Sequence, residues 1–438
     1  MTEKSTISEL KPLLIQKISV QNKGLKLETN DPHHQKTVSN EKTGTVYGAI
    51  ANLTNACMGA GILALPYAVS QIGWLFGIII FILVGLISWG SLQLLMLCSF
   101  YTKQYTYEEL ARYVIGKKMY VLVKITILTI TILASTTYLI IIGDSIPKFF
   151  ESFEKTSDTV LTSRVFISLI AVSFGILPLS LMRKMDHLKF SSSLSFIAIS
   201  YMVVVIIINH SETNIKNLKT YAFNFDFIQF LTAFPIFIFA DSVHIISVNV
   251  IKDLKNASEK SVSKISIITL TSCNAVYLLA SLFGFFTFGD KTPGDIIVGY
   301  RKQGISIIIA RFVLTIMAIV SIPIFIFVTR ESINVLFFKN KPFSWKRHIL
   351  LTVAFCMIIT TLSLTLPEVQ FISALTGSTA SIITVFIGPG FLWYHLERNK
   401  KRKKHQILGL VYIIFGLAVM FISTTAVIYG HAIKKKKQ

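Results

Sequence analysis

Long apolar runs separated by short polar segments dominate the chain. A helix that crosses the hydrocarbon core of a bilayer needs about 20 apolar residues, and eleven runs approach or exceed that length. They cover residues 46–70, 72–98, 119–143, 160–181, 190–208, 224–249, 265–288, 304–328, 349–366, 369–395 and 406–430. The pattern predicts an all-α polytopic membrane protein with eleven transmembrane helices.

Polar and helix-breaking residues interrupt the first predicted span at its centre. Residues 52–67 read Asn-Leu-Thr-Asn-Ala-Cys-Met-Gly-Ala-Gly-Ile-Leu-Ala-Leu-Pro-Tyr. Unpaired backbone groups are costly in lipid, so a broken helix persists at membrane depth only where it lines a cavity or binds a ligand. Two half-helices that meet there present N–H groups to an anion and C=O groups to a cation. The segment therefore predicts a ligand site, with close packing of small residues as the alternative.

The sixth predicted span carries a second interruption. Pro235, Asp241, Ser242 and His244 place a helix breaker and polar groups near its centre. Matching interruptions in two halves of a chain are typical of an inverted repeat with a binding site at the interface of the halves. We expect the two interrupted spans to face one another.

The spacing of the interruptions predicts the domain organisation. Spans one to five (residues 46–210) and six to ten (residues 211–395) form the two repeats, and an odd number of spans places them in opposite orientations. Residues 1–45 are polar and predict a flexible cytosolic tail. Residues 396–438 contain a basic loop, the eleventh span and a short tail.

Composition and charge agree with a membrane protein. Hydrophobic residues make up 53% of the 438 residues and charged residues 15%, against about 25% charged in soluble domains. The net charge of +21 does not predict a nucleic-acid partner, because most lysines and arginines fall in inner segments if the N-terminus is cytosolic. The basic run at residues 398–404 suits anionic lipid. One feature disagrees, since eleven spans place the lysines at 434–437 outside, against the rule.

Reactive side chains do not predict an enzyme. All four cysteines lie within predicted spans, and neither cysteines nor histidines show metal-ligand spacing. The chain has no Gly-x-x-x-x-Gly-Lys-Ser/Thr motif and no catalytic pair within the spans. We expect no catalytic residue, no structural metal, no organic cofactor and no disulfide.

Seven segments, in matching order, resemble the amino acid/auxin permease family, and in particular its system A/N-like neutral amino-acid transporters and vacuolar relatives. They are residues 52–67; Tyr-Glu-Glu-Leu at 107–110 with Gly116; residues 138–147; Leu-Pro-Leu-Ser at 177–180 followed by Asp186 and Leu188; residues 285–290 with Gly294 and Asp295; Pro323 followed by Arg-Glu-Ser-Ile at 330–333; and Gly377 with Pro389 and Gly390. The resemblance covers residues 44–395. It implies a LeuT-like fold, a 5+5 inverted repeat plus one span, and ion-coupled amino-acid symport by alternating access.

Substrate binding is predicted at the first interruption. The backbone N–H groups of Gly59, Ala60 and Gly61 are candidates for holding a substrate α-carboxylate, because glycine permits close approach and the following half-helix directs its positive end there. Tyr138 in the third span is a candidate for closing over the substrate. The alternative for Tyr138 is an aromatic side chain in the core or against lipid.

The sixth span departs from the family pattern. Relatives commonly show Phe-Ala-aromatic-x-x-His, whereas this chain has Phe239-Ala-Asp241-Ser-Val-His244. We count these three named residues as candidate substrate-binding residues. Insertion of a carboxylate into a membrane costs free energy, so its presence indicates a function. Three roles for Asp241 are open: it pairs with a cationic cargo such as lysine, arginine or ornithine, it carries a proton, or it pairs with His244. His244 is either a pH-sensitive group or structural.

The coupling ion is predicted to be Na+ or H+. The resemblance links Asn52 to sodium coordination, and an amide oxygen beside backbone carbonyls suits a hard cation. Ser321 lies two residues before Pro323, near the place where relatives have a hydroxyl ligand. The alternative for Ser321 is a hydroxyl bonded to its own helix.

Two functions remain open from the sequence. The first is the amino-acid transporter, and the second is an amino-acid sensor that signals through its N-terminal tail. The expected partners are an amino acid and the bilayer, with the monomer as the working unit. The sequence does not distinguish the plasma membrane from a vacuolar or lysosomal membrane. It also leaves open whether Asn209, in the triplet Asn-His-Ser at 209–211, is glycosylated.

Overall fold

The structure, a computed structural model, describes residues 44–151, 163–183, 191–210, 218–300, 304–338, 341–400 and 402–437. Almost all of the predicted tail (residues 1–45) lies outside this part of the chain, as do Asp186, Leu188 and Ser211. The regular secondary structure of these residues is helical, apart from an isolated bridge between Gly44 and Leu254.

The described chain forms helices that we number in order. They are α1 (Val46–Cys57), α2 (Ala60–Ile72), α3 (Trp74–Thr102), α4 (Tyr107–Val114), α5 (Lys117–Phe150), α6 (Arg164–Ser180), α7 (Ser191–His210), α8 (Phe227–Ala240), α9 (His244–Asp253), α10 (Glu259–Phe288), α11 (Ile296–Gly299), α12 (Ile305–Phe337), α13 (Trp345–Thr365), α14 (Val369–Asn399) and α15 (Lys403–Lys437).

Most of the predicted spans correspond to membrane-length helices. Nine helical segments in the described residues are long and apolar enough to cross a bilayer, with α8 and α9 counting together as one. The pair α1 and α2, bent by 50°, makes a tenth. The fourth predicted span coincides with α6, which is shorter than that length. The all-α membrane architecture is therefore confirmed, and the count of eleven stays a prediction.

Side-chain caps begin both interrupted spans. The Thr45 hydroxyl accepts a hydrogen bond from the N–H of Gly48 (3.0 Å) at the start of α1. The Asp226 carboxylate accepts one from the N–H of Gln229 (2.8 Å) at the start of α8. Such caps satisfy N–H groups that the first turn of a helix leaves unpaired.

Buried arginines connect the helices near their ends. The Arg330 guanidinium in α12 donates to the Ser180 carbonyl of α6 (2.9 Å) and to the Thr352 hydroxyl of α13 (2.9 Å). Arg311, nearer the start of α12, donates to the carbonyls of Ile297 and Tyr300 around α11. Both therefore anchor neighbouring segments.

Asn209 is not accessible to a glycosylating enzyme in this structure. Its side chain is buried, and its amide nitrogen donates to the Val205 carbonyl (2.8 Å). Modification would require this end of α7 to open.

We expect Asp295 to make the stability of the protein depend on pH. It is buried, and it caps α11 by accepting a hydrogen bond from the N–H of Ile297 (3.1 Å). Burial, reinforced by the negative charge of Asp144, raises the pKa of Asp295 to about 7. The folded protein therefore holds a proton that the unfolded chain releases near pH 4, so this contribution to the free energy of unfolding is lost as pH rises from about 4 to about 7.

We expect Asp295→Asn to weaken this dependence, because asparagine caps a helix without a charge. Thermal unfolding midpoints in detergent, measured from pH 4.5 to 7.5, should fall more steeply for the wild type than for the variant, by about 2 °C or more over the range. Parallel curves would show that Asp295 does not titrate in this way.

Candidate functional site

The first span is broken where the sequence predicts. Helix α1 ends at Cys57, and Met58 and Gly59 have extended backbone conformations. A 3-10 turn, Ala60–Ala64, then begins α2. The two parts meet at 50°.

The sixth span is broken as well. Helix α8 ends at Ala240 and α9 begins at His244. The intervening residues 241–243 leave the regular helix. Neither the first nor the sixth span is therefore a continuous α-helix, and both predicted interruptions are confirmed.

The two breaks contact one another. The Cys57 thiol donates to the Ala240 carbonyl (3.7 Å), which joins the end of α1 to the end of α8. A Cβ atom on Gly61 would lie 3.3 Å from the Ala240 Cα and 3.4 Å from the Phe239 ring. Glycine at position 61 therefore allows the two segments to approach closely.

Tyr138 on α5 lies against the first break. Its side chain is buried, and its hydroxyl faces the backbone N–H of Ala60 and the side chain of Ser321. A Cβ atom on Gly59 would lie 3.3 Å from the same hydroxyl. The structure thus brings Tyr138 to the Gly59–Ala60–Gly61 segment, and it excludes a lipid-facing position.

The predicted ion ligands Asn52 and Ser321 lie in different surroundings. The Ser321 hydroxyl is buried and donates to the Met317 carbonyl of its own helix (2.7 Å), which is the alternative that the sequence left open. Asn52 has an exposed side chain and lines a cavity of about 190 Å³ between α1 and the end of α9 near Asp253. Among the described residues, no hydrogen bond joins Asn52 to Ser321.

Asp241 and His244 do not form the pair that their spacing allowed. Both side chains are fully buried. The His244 imidazole is 2.9 Å from the Ser91 hydroxyl of α3. The part of the chain that the structure describes contains no ion pair between Asp241 and His244.

Two further polar residues surround the second break, and the sequence interpretation did not select them. Ser88 of α3 and Asn274 of α10 lie beside the Asp241 carboxylate. Each is a polar residue inside a predicted span, and this was the only sequence signal. Nearby, the Tyr277 hydroxyl of α10 donates to the Cys57 carbonyl at the end of α1 (2.8 Å).

The sequence profile of the family described as "Transmembrane amino acid transporter protein" matches residues 42–429. The chain belongs to this family. It is therefore an amino-acid transporter that resides in a lipid bilayer, and the family resemblance seen in the sequence is confirmed.

A characterised relative and two solved structures are similar to this transporter. The "Sodium-coupled neutral amino acid symporter 2" of Danio rerio is 26% identical over 404 residues, which is 85% of this chain and 80% of the relative. The inward-facing conformation of Mhp1 has a TM-score of 0.56 at 12% identity, covering 89% of this chain and 91% of Mhp1. A substrate-bound, outward-open Na+-coupled sialic acid symporter has a TM-score of 0.50 at 13% identity, covering 90% and 92%.

The two structural similarities confirm the LeuT-like fold of the transporter. They cover nearly the whole chain at low sequence identity, so they establish the architecture and not the cargo. The boundaries of the two repeats, residues 46–210 and 211–395, stay a prediction.

Proposed function

We propose that this transporter couples the movement of neutral amino acids to the movement of Na+ in the same direction. The observation that carries the proposal is the contact between the two broken spans at Gly61 and Ala240. Broken spans that meet within a membrane protein are suited to holding a small zwitterion and its driving ion. The name of the Danio rerio relative supports both the neutral cargo and the sodium ion.

The substrate α-carboxylate would bind at the first break. The backbone N–H groups of residues 59–61 lie at the N-terminus of α2, which carries a partial positive charge. The Tyr138 hydroxyl faces the N–H of Ala60 and can turn its proton towards a carboxylate bound there. These groups together supply backbone donors and one side-chain donor without a fixed positive charge.

The substrate α-ammonium group would bind at the second break. Helix α8 ends at Ala240, so the carbonyl groups of its last turn lie at the negative end of the helix. The Phe239 ring is close to Gly61 and would form an apolar wall of the site. His244 faces Ser91, which gives it a positioning role at the start of α9.

Two alternatives from the sequence have less support. A cationic cargo was inferred from Asp241, and the relative's name indicates neutral amino acids instead. The sensor hypothesis depended on the N-terminal tail, which lies outside the described residues, and no comparison supports it. Coupling to H+ is the alternative to coupling to Na+.

Uptake into proteoliposomes tests this function. The purified protein, reconstituted with an inward Na+ gradient, should accumulate labelled neutral amino acids, and a tenfold gradient should support roughly tenfold accumulation at 1:1 coupling. Replacement of Na+ by choline, at two external pH values, separates sodium from proton coupling. Uptake that neither gradient changes would contradict the proposal.

The orientation and cellular membrane are also proposals. The positive-inside rule favours an N-terminus in the cytosol, and we propose a working monomer because both broken spans of the proposed site belong to one chain. A tag on the N-terminus should be protected in intact cells and accessible after permeabilisation. Imaging of the same tagged protein distinguishes the plasma membrane from a vacuolar or lysosomal membrane.

A further inference from the structure

The Asp241 carboxylate is buried without a positively charged partner among the described residues. Its side chain has no exposed surface, the polar side chains beside it, Ser88 and Asn274, are neutral, and the ion pairs among the described residues do not include it. Burial of an unpaired charge in a low-dielectric environment is strongly unfavourable. The position therefore calls for a positive ligand.

Helix polarity strengthens this requirement. Asp241 is the C-terminal cap of α8, which has 14 residues. The C-terminus of α1, which has 12 residues, lies at the same place, because the Cys57 thiol bonds to the Ala240 carbonyl. The C-terminus of a helix carries a partial negative charge. Two such ends and a carboxylate produce a negative potential that favours a cation.

Neutral oxygen atoms complete the surroundings of the carboxylate. The Ser88 hydroxyl and the Asn274 side chain lie beside Asp241. The Ser88 Oγ and the Asn274 Oδ1 are both buried. Gly85 provides the room: a Cβ atom there would overlap the Asn274 amide nitrogen and lie 3.8 Å from the Asp241 Oδ2.

The charge and donor types indicate a monovalent ion. The Asn274 amide nitrogen faces this side, and rotation of the amide by 180° exchanges it for the oxygen. One carboxylate, one hydroxyl and that amide oxygen then form an all-oxygen set with a single negative charge, which suits a hard cation. The described residues contain no group of three or more His, Cys, Asp or Glu side chains that would hold a divalent metal. If the cargo is neutral, it brings no side-chain cation to neutralise Asp241.

We propose that Asp241, Ser88 and Asn274 bind a sodium ion behind the second break, at the junction of α3, α8 and α10. The proposal rests on the proposed function, since it identifies where one driving ion binds. This site is separate from Asn52 and Ser321. The ion neutralises the carboxylate at the end of α8 and thereby stabilises the broken geometry that the substrate needs.

Binding of ²²Na+ to the purified full-length protein in detergent tests the site. We expect Asp241→Asn to raise the half-saturation concentration of one sodium site by about tenfold or more, because it removes the charge. Ser88→Ala and Asn274→Ala each remove one neutral oxygen and should raise it about two- to tenfold. Ser281→Ala is the matched control, because the Ser281 hydroxyl is buried in α10 but already bonded to the Tyr277 carbonyl (2.6 Å).

Thermal unfolding provides a second measurement of Na+ binding, which does not require that a variant transports. In choline buffer, Asp241→Asn should be at least as stable as the wild type, since the unpaired charge is gone. Addition of Na+ should raise the unfolding midpoint of the wild type and of Ser281→Ala, and not that of Asp241→Asn. Normal ²²Na+ binding by the Asp241, Ser88 and Asn274 variants would overturn the proposal.

Two outcomes separate this site from the function itself. If neutral uptake requires Na+ but Asp241→Asn binds ²²Na+ normally, the site is wrong and the function stands. If no ion gradient drives uptake by the wild type, the proposed function fails independently of the site. The side chain of a cationic substrate is the other possible partner of Asp241, and binding of labelled lysine in choline buffer tests it. If the wild type binds lysine and Asp241→Asn does not, the carboxylate pairs with a substrate side chain and the sodium site is wrong.

Discussion

Replacement of Gly377 by alanine is expected to reduce uptake by about tenfold or more and to lower the thermal unfolding midpoint. Gly377 lies within α14, where a Cβ atom would overlap the carbonyl carbon and oxygen of Pro235 in α8. The colliding atoms are backbone, so no side-chain rotation relieves them. Helices α8 and α14 must separate, and α8 leads directly to the second break.

The matched control is Gly430→Ala on α15. This glycine faces the same helix α8, but an added Cβ atom would lie 3.5 Å from the Thr232 methyl group, which is ordinary van der Waals contact. Uptake rates in proteoliposomes and unfolding midpoints should match the wild type. Wild-type uptake by Gly377→Ala would show that the close contact with α8 is not required, and equal loss in both variants would show that the effect is not specific to it.

The sequence identified the broken spans because the penalty for an interrupted helix in lipid is large and local. Glycines, a proline and polar groups inside an apolar run carry that signal without any knowledge of the fold. The pattern does not fix the residue at which each helix ends. Helix α8 continues past Pro235 to Ala240, because an internal proline removes one N–H donor and does not by itself end a helix.

The supposed pair of Asp241 and His244 shows the limit of spacing arguments. Residues at i and i+3 are neighbours only when both belong to one helix. Here α8 ends before Asp241 and α9 begins at His244, so the two side chains do not share a helical face. The actual partner of His244 is Ser91, which is distant in the sequence.

The placement of Asn52 has a similar cause. The buried face of α1 contains Ala49, Leu53, Thr54 and Cys57, and Asn52 lies off this face with its side chain exposed. The family resemblance gave its position along the helix but not which way it points. The sequence does not indicate Ser88 and Asn274 for a related reason. They lie on α3 and α10, and only the packing of these helices around α8 brings them together beside Asp241.

Replacement of Tyr138 by phenylalanine is expected to raise the half-saturation concentration for neutral amino acids by about 10- to 100-fold. The hydroxyl faces the N–H of Ala60 at the first break, and its loss removes one hydrogen bond to a charged carboxylate, worth about 1.5–3 kcal/mol. The remaining ring still packs near Phe325, with 5.8 Å between the ring centroids. Initial rates of uptake at saturating Na+ should therefore separate a binding defect from a loss of folded protein.

Competition by alaninamide, which lacks the carboxylate, assigns the defect to the predicted contact. The wild type should prefer alanine to alaninamide, and Tyr138→Phe should reduce that preference by about 10- to 100-fold, because one of the donors to the carboxylate is gone. Tyr201→Phe provides the control, since the Tyr201 hydroxyl bonds to the Ser306 carbonyl (3.2 Å) on other helices. A preference for alanine that survives in Tyr138→Phe would mean that backbone N–H groups alone select the carboxylate, and Tyr138 would then be a packing residue of the broken segment.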